Sequence, residues 1–297
     1  MARADWKRPE KFSAREGYKR IGLIVSYDGS AFSGWQIQKD EVTVQGEILN
    51  AVKKLTLCDD VCVVGSGRTD SGVHAMGQAA HIELPETVSL PVAAYHRGLN
   101  AFLPDKIRIV KSFEVDSSFH ARFSSMAREY RYFFNLKSES NPFTSMYLCP
   151  VREFPDSDLL NGYASVVYGT HDFTTFSSVQ DLSQSKYRDI YLSHFSYENG
   201  IFGEQVLCYK ICGNAFLYHM VRSLAGTMID YGLKGLSVDE FREILEGKNR
   251  ALCGPVAPPN ALYLWRVSYD PDEFMWFENK NRHENTLGNK KTGETGK

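Results

Sequence analysis

Two kinds of hydrophobic spacing alternate along this chain, and that alternation most restricts its fold. Residues 21–27, 61–65, 77–84 and 107–115 are short, strand-like apolar runs. Between them, 43–57 place Val44, Ile48, Val52 and Leu55 on one helical face. Residues 91–103 do the same with Val92, Tyr95, His96, Leu99 and Phe102, and Pro91 suits that helix's first turn. A second set repeats the theme. Strand-like runs lie at 128–136, 186–197, 202–213 and 261–269, and helical spacing at 157–168, 215–231 and 238–246. Asn199-Gly200 is a hairpin signal. Asn214 reads as the cap of the helix at 215–231, and Ser237 with Glu240 as a capping box stopped by Gly247. Hairpin-type strands mixed with packed helices predict an α+β fold. We expect two similar subdomains, each a mostly antiparallel sheet with packed helices, and an active-site cleft between them. The 297 residues suit about two such units. The expected boundaries are a basic flexible arm at 1–19, an N-terminal subdomain at 20–115, a C-terminal subdomain at 116–277 and a disordered tail at 278–297.

Charge is unevenly spread. The net charge is −2, yet residues 1–20 carry +4 and 278–297 carry +2, leaving −8 on 21–277. A polyanion would have to be held by a local basic groove. The window 97–131, with seven Lys/Arg against four Asp/Glu, is the best candidate. Binding through a few phosphate contacts should weaken steeply with salt. No apolar stretch approaches the ~18 residues of a membrane helix, and the N-terminus lacks the apolar core of a secretory signal. Six dispersed cysteines without C-x2-C spacing read as reduced core thiols, not a disulfide framework or a zinc site. Together these predict a cytoplasmic protein.

Several motifs fail on inspection. Gly65-Ser66-Gly67 is neither a dinucleotide fingerprint, because Asp70 takes the third glycine's place, nor a P-loop, because no G-K-[ST] follows. His81-Ile82-Glu83 matches half of a zinc deaminase signature, but the P-C-x-x-C half is missing, so Glu83 reads as an outward strand residue. No G-x-S-x-G element is present.

The informative segment is GSGRTDSGVHAMGQ at 65–78. Glycines let the backbone approach a bulky ligand, and Arg68 can keep Asp70 ionised. An ionised, positioned Asp can act as a covalent nucleophile. A loop Asp bonded to its own backbone, with Arg68 as a surface ion pair, fits the residues equally well.

Seven blocks go further. YDGSAFSGWQIQ (27–38), TVQGEI (43–48), RGLNAFLPD (97–105), HARFSSMAREYRYFF (120–134), GTHDFTTF (169–176), GNAFLYHMVRSLAGT (213–227) and GPVAPPNALYLWRV (254–267), together with the GRTDSGVHAMGQ loop, closely resemble the tRNA pseudouridine synthase A family across 21–270. The resemblance implies the pseudouridine synthase fold and the isomerisation of uridine to pseudouridine at positions 38, 39 and 40 of the tRNA anticodon arm. It implies a homodimer and no metal or cofactor. It makes Asp70 the nucleophile. Arg68 would fill the space left by the flipped base, Tyr130 would lie against the uracil, and Arg222 would pair with the catalytic Asp. Leu262 would wall the base. On strand periodicity alone Tyr132 competes with Tyr130. Arg222 points nearly opposite the apolar stripe of the predicted helix at 215–231, which fits a solvated Arg as well. Other RNA targets, or a non-catalytic RNA-binding module on the same fold, are the alternatives.

Overall fold

A computed structural model describes residues 12–200 and 203–270. The start of the expected arm and the tail lie outside the described residues. The chain divides after Ser125 into two compact units.

In the first unit, β1 (Tyr18–Tyr27) is followed by α1 (Val44–Thr56), β2 (Cys62–Gly65), β3 (His74–Pro85), α2 (Val92–Phe102) and β4 (Ile107–Glu114). β1 lies between β3 and β4, antiparallel to both, and β2 pairs antiparallel with β3. Thr43 caps α1 by accepting from the Gly46 N–H. The α1 residues Val44, Ile48 and Val52, predicted to share a face, are fully buried. Tyr95 and Leu99 do the same for α2, and Gly98 lets that helix meet Leu55 of α1 closely.

Glu83 does not face outward. It is 5% exposed and accepts from Arg20 Nε and Arg15 Nε, each at 2.9 Å. A buried carboxylate needs such partners, and a pairing across 63 and 68 residues is invisible to strand periodicity. Arg20 also donates to the carbonyls of Phe12, Ser117 and Phe119, and Ala121 N–H donates to His81 Nδ1. These bonds tie the segment after β4 into the first unit.

The second unit contains β5 (Ala127–Leu136), β6 (Cys149–Val151), α3 (Ser157–Val167), β7 (Gly169–Asp172), β8 (Tyr187–Asn199), β9 (Gln205–Gly213), α4 (Met220–Leu233), α5 (Val238–Glu246) and β10 (Leu262–Ser268). Its strands run β10-β5-β9-β8-β7, all antiparallel, with β6 parallel to β5. The short β6 and β7 carry no sequence signal of their own. The core includes the stacked rings of Tyr163 and Phe241, 4.6 Å apart, where α3 meets α5. The architecture is α+β, as expected.

Local signals are realised with three differences. The β8–β9 hairpin forms, but Asn199 faces Gln205, so the turn is longer than Asn-Gly and Gly203, at φ 82°, takes the left-handed position. The capping box of α5 is intact, yet Gly247 stays right-handed and Lys248 takes φ 48°. Finally, α4 begins at Met220, not 215, with His219 as its N-cap at φ 64°. Asn214 instead bonds both the backbone and the carboxylate of Asp189 on β8, and the Phe216 ring packs edge-on against Tyr130. Those long-range contacts hold 214–217 out of the helix. Among the described residues, no helix is long and apolar enough to cross a membrane.

Candidate functional site

Asp70 lies half-buried on the loop between β2 and β3, with Arg68 exposed two residues before it. The loop is held from outside by the segment 27–35. Trp35 N–H donates to Thr69 carbonyl at 3.1 Å, and the Tyr27 and Thr69 hydroxyls are 2.8 Å apart. Ser71 hydroxyl donates to Phe32 carbonyl, and Val73 N–H closes a turn on Asp70 carbonyl. At its root, Ser66 and Gln78 side chains bond each other, and Gln78 Nε2 donates to Gly67 carbonyl.

Glycines make this approach possible. Gly34 has φ 89°, and a Cβ there would sit 2.6 Å from Thr69 carbonyl oxygen and 3.2 Å from the Asp70 carbonyl carbon. A Cβ on Gly29 would be 2.0 Å from Val73 carbonyl oxygen. The indole of Trp35, 1% exposed, fills the space that a side chain at Gly65 would need. The YDGSAFSGWQIQ block is thus the mould in which the Asp70 loop is set. Gly34 and Trp35 support the loop from within that block, where only the clustering of Gly, Trp and Tyr marks them in the sequence.

Beside the mould, Asp28 caps the turn at Ser30 and binds Lys106 Nζ at 2.8 Å. Burial would raise its carboxyl, but Lys106 and the Ser30 backbone and hydroxyl hold it well below the usual carboxylate range. His74 Nδ1 accepts the Gly29 N–H at 3.1 Å and lies 3.2 Å from an Asp28 carboxylate oxygen, so the imidazole holds the loop's exit against the turn at Asp28 and Gly29. His74 therefore orients the loop's exit.

The other candidate residues belong to the second unit. Tyr130 is 7% exposed on β5, opposite Leu264 of β10 and Ile211 of β9. Tyr132, two residues on, is fully buried, and its hydroxyl donates to Pro258 carbonyl at 2.8 Å. Burial, with Cys149 beside it, pushes that phenol far above its ordinary value. Of these two tyrosines, equivalent by periodicity, Tyr132 spends its hydroxyl on the fold.

Arg222 lies in the first turn of α4, partly buried. It is not a solvated Arg on an outer face. Its Nε donates to Ala257 carbonyl at 2.8 Å, and Ala257 N–H donates to Arg222 carbonyl at 3.1 Å. The strap 254–258 approaches α4 so closely because Gly226 has no side chain; a Cβ there would be 2.0 Å from Pro255 carbonyl oxygen. One strap therefore anchors Arg222 and Tyr132 and then enters β10 at Leu262, itself 5% exposed and opposite Tyr132. Arg68 and Asp70 share the first unit's loop; Tyr130, Arg222 and Leu262 share this second assembly.

Comparison with known proteins adds an independent line. A sequence profile described as tRNA pseudouridine synthase matches residues 23–124 and 164–270. A tRNA pseudouridine synthase A of Bacillus pumilus is 42% identical over 252 residues, covering 84% of this chain and 99% of its own. The Bacillus subtilis protein of the same name is 40% identical over 252 residues, with the same coverages. That of Treponema denticola is 39% identical over 262 residues, covering 86% of this chain and 95% of its own.

Proposed function

Since the chain belongs to the tRNA pseudouridine synthase family, as an isomerase acting on tRNA, we propose that it converts uridine to pseudouridine at positions 38, 39 and 40 of the anticodon stem-loop. Asp70 is the nucleophile, and the target base is turned out of its stack at a cost of about a few kcal/mol. In the isomerisation the N1–C1′ bond breaks, the base turns, and a C5–C1′ bond forms as the C5 proton leaves and N1 gains one. The carboxylate adds to the sugar carbon or to the base and is released unchanged. Arg68, exposed beside it, occupies the space the base vacates. Tyr130 lies against the uracil ring, Arg222 pairs with Asp70, and Leu262 walls the base. The working form is a cytoplasmic homodimer, in which two local basic patches serve one acidic body.

The observation that supports this reading is the mould around the Asp70 loop. A carboxylate carried on a loop crossed by Gly34 and bonded at Thr69 from two sides is pre-positioned, which is what a nucleophile at a displaced base requires. The test is to map pseudouridine in tRNA from cells with and without the protein. Loss of pseudouridine at 38–40 is expected. An unchanged anticodon arm with losses elsewhere would move the activity to other RNA targets, and no change at any site would leave a non-catalytic RNA-binding module.

The tyrosines give a finer test. Tyr130→Phe should lower turnover about a hundredfold, the scale of a lost acid–base group. Tyr132→Phe should leave Pro258 carbonyl unsatisfied, lowering stability by about 1–2 kcal/mol with a smaller effect on turnover. The reverse order in single-turnover kinetics would give the ring contact to Tyr132.

A further inference from the structure

We propose that the loop 177–186 of the second unit is a rigid apolar contact for the substrate RNA, made by Val179 and Leu182. This rests on the tRNA reading above and extends it to a surface outside the proposed catalytic residues. Leu182 is 96% exposed and Val179 87%, the two most solvent-exposed large hydrophobic side chains of the second unit's described residues. Single exposed aliphatics are ordinary where a loop is loose. This loop is pinned throughout. The Asp181 carboxylate, 6% exposed, accepts from Lys186 Nζ at 2.7 Å, from Tyr218 N–H at 2.6 Å and from Ser183 N–H at 2.9 Å. Burial opposes its charge, but those three donors hold the carboxyl well below its ordinary range. Ser178 N–H donates to Tyr218 carbonyl, Gln180 N–H to Ser178 hydroxyl, and Phe173 N–H to Lys186 carbonyl. A loop fixed this firmly presents Val179 and Leu182 in one place.

Two features favour RNA as the occupant. In 177–189 the two acids are Asp181, buried and paired with Lys186, and Asp189, whose carboxylate accepts from Thr170 and Asn214, while Arg188 adds a cation, so the tip that carries Val179 and Leu182 has no carboxylate turned to solvent to repel phosphates. The anchor at Tyr218 also lies immediately before α4, whose first turn carries Arg222. The same bonds thus fix the start of that helix and the apolar tip. Aliphatic side chains pack on the faces of unstacked bases and on riboses, surfaces that unpaired RNA offers.

The test uses the full chain with the double substitution Val179→Ser and Leu182→Ser. Both side chains are almost wholly in solvent, so the unfolding midpoint should not move. The dissociation constant for unmodified tRNA should rise about tenfold, the scale of losing one to two buried aliphatic contacts. Turnover at saturating tRNA should stay within about twofold. An unchanged dissociation constant would overturn the inference. So would unchanged RNA affinity with dissociation of the oligomer in sedimentation, which would give the surface to a protein partner. If the wild-type chain made no pseudouridine but the substitution still weakened tRNA binding, the proposed reaction would fall and the contact would stand.

Discussion

Replacing Asp70 with Asn should reduce pseudouridine formation by on the order of a thousandfold or more while tRNA affinity changes by no more than about threefold. The argument is local. Asn has the shape of Asp and keeps the backbone bond from Val73 N–H to residue 70 carbonyl, so the loop retains its form. The Thr69 anchors to Trp35 and Tyr27 are untouched. What disappears is the carboxylate lone pair that, in the proposed reaction, adds to carbon, and an amide is no substitute for it. Binding survives because phosphate contacts elsewhere carry most of the affinity. Single-turnover assays on unmodified tRNA, paired with a direct binding measurement, check both halves. Wild-type turnover would remove Asp70 from the nucleophile's role; a matching loss of binding would make it a recognition group instead.

Gly34→Ala should also be strongly damaging, without altering the Asp70 side chain. The new Cβ would lie 2.6 Å from Thr69 carbonyl oxygen and 3.2 Å from both the Asp70 carbonyl carbon and the Ser71 nitrogen, and these are backbone atoms that cannot swing aside. At φ 89° alanine is strained as well. The loop must retreat, and a displacement approaching 1 Å at a catalytic group costs about a hundredfold in rate. We therefore expect turnover to fall about a hundredfold and stability to fall by about 2–4 kcal/mol. Gly235→Ala separates the causes. Gly235 also has positive φ, 74°, but nothing lies within 4 Å of its added Cβ. That variant should lose about 1 kcal/mol of stability and keep its turnover. Thermal unfolding with rate measurements at a temperature where all three proteins are folded decides it. A fully active Gly34→Ala would mean that the mould does not hold Asp70 in place.

The difference between these two glycines shows where the sequence stops being legible. Gly34 stands in an aromatic-rich block and Gly235 between Lys234 and Leu236, but how little room a side chain would have at Gly34 is set by the chain crossing at Thr69, 35 residues away. Tyr130 and Tyr132 make the same point: one strand period separates them, and the bond from the Tyr132 hydroxyl to the Pro258 carbonyl, 126 residues on, has no trace in that period. α4 starts later than its local spacing predicts because Asn214, a good cap in isolation, has a better partner in Asp189.

The sequence by itself determined what depends on near neighbours and on residue chemistry. It yielded the α+β alternation, the faces of α1 and α2, the capping box of α5 and the β8–β9 hairpin. Its blocks also carried the likeness to the synthase family, because each records a chemistry that few other residues could replace. Only the tertiary structure decided how the Asp70 loop is moulded by 27–35, that Glu83 is buried between two guanidinium groups, and that one strap serves Arg222, Tyr132 and Leu262. Those outcomes rest on close approaches between segments tens of residues apart. Such an approach depends on which backbone arrives, and neither periodicity nor local propensity encodes that.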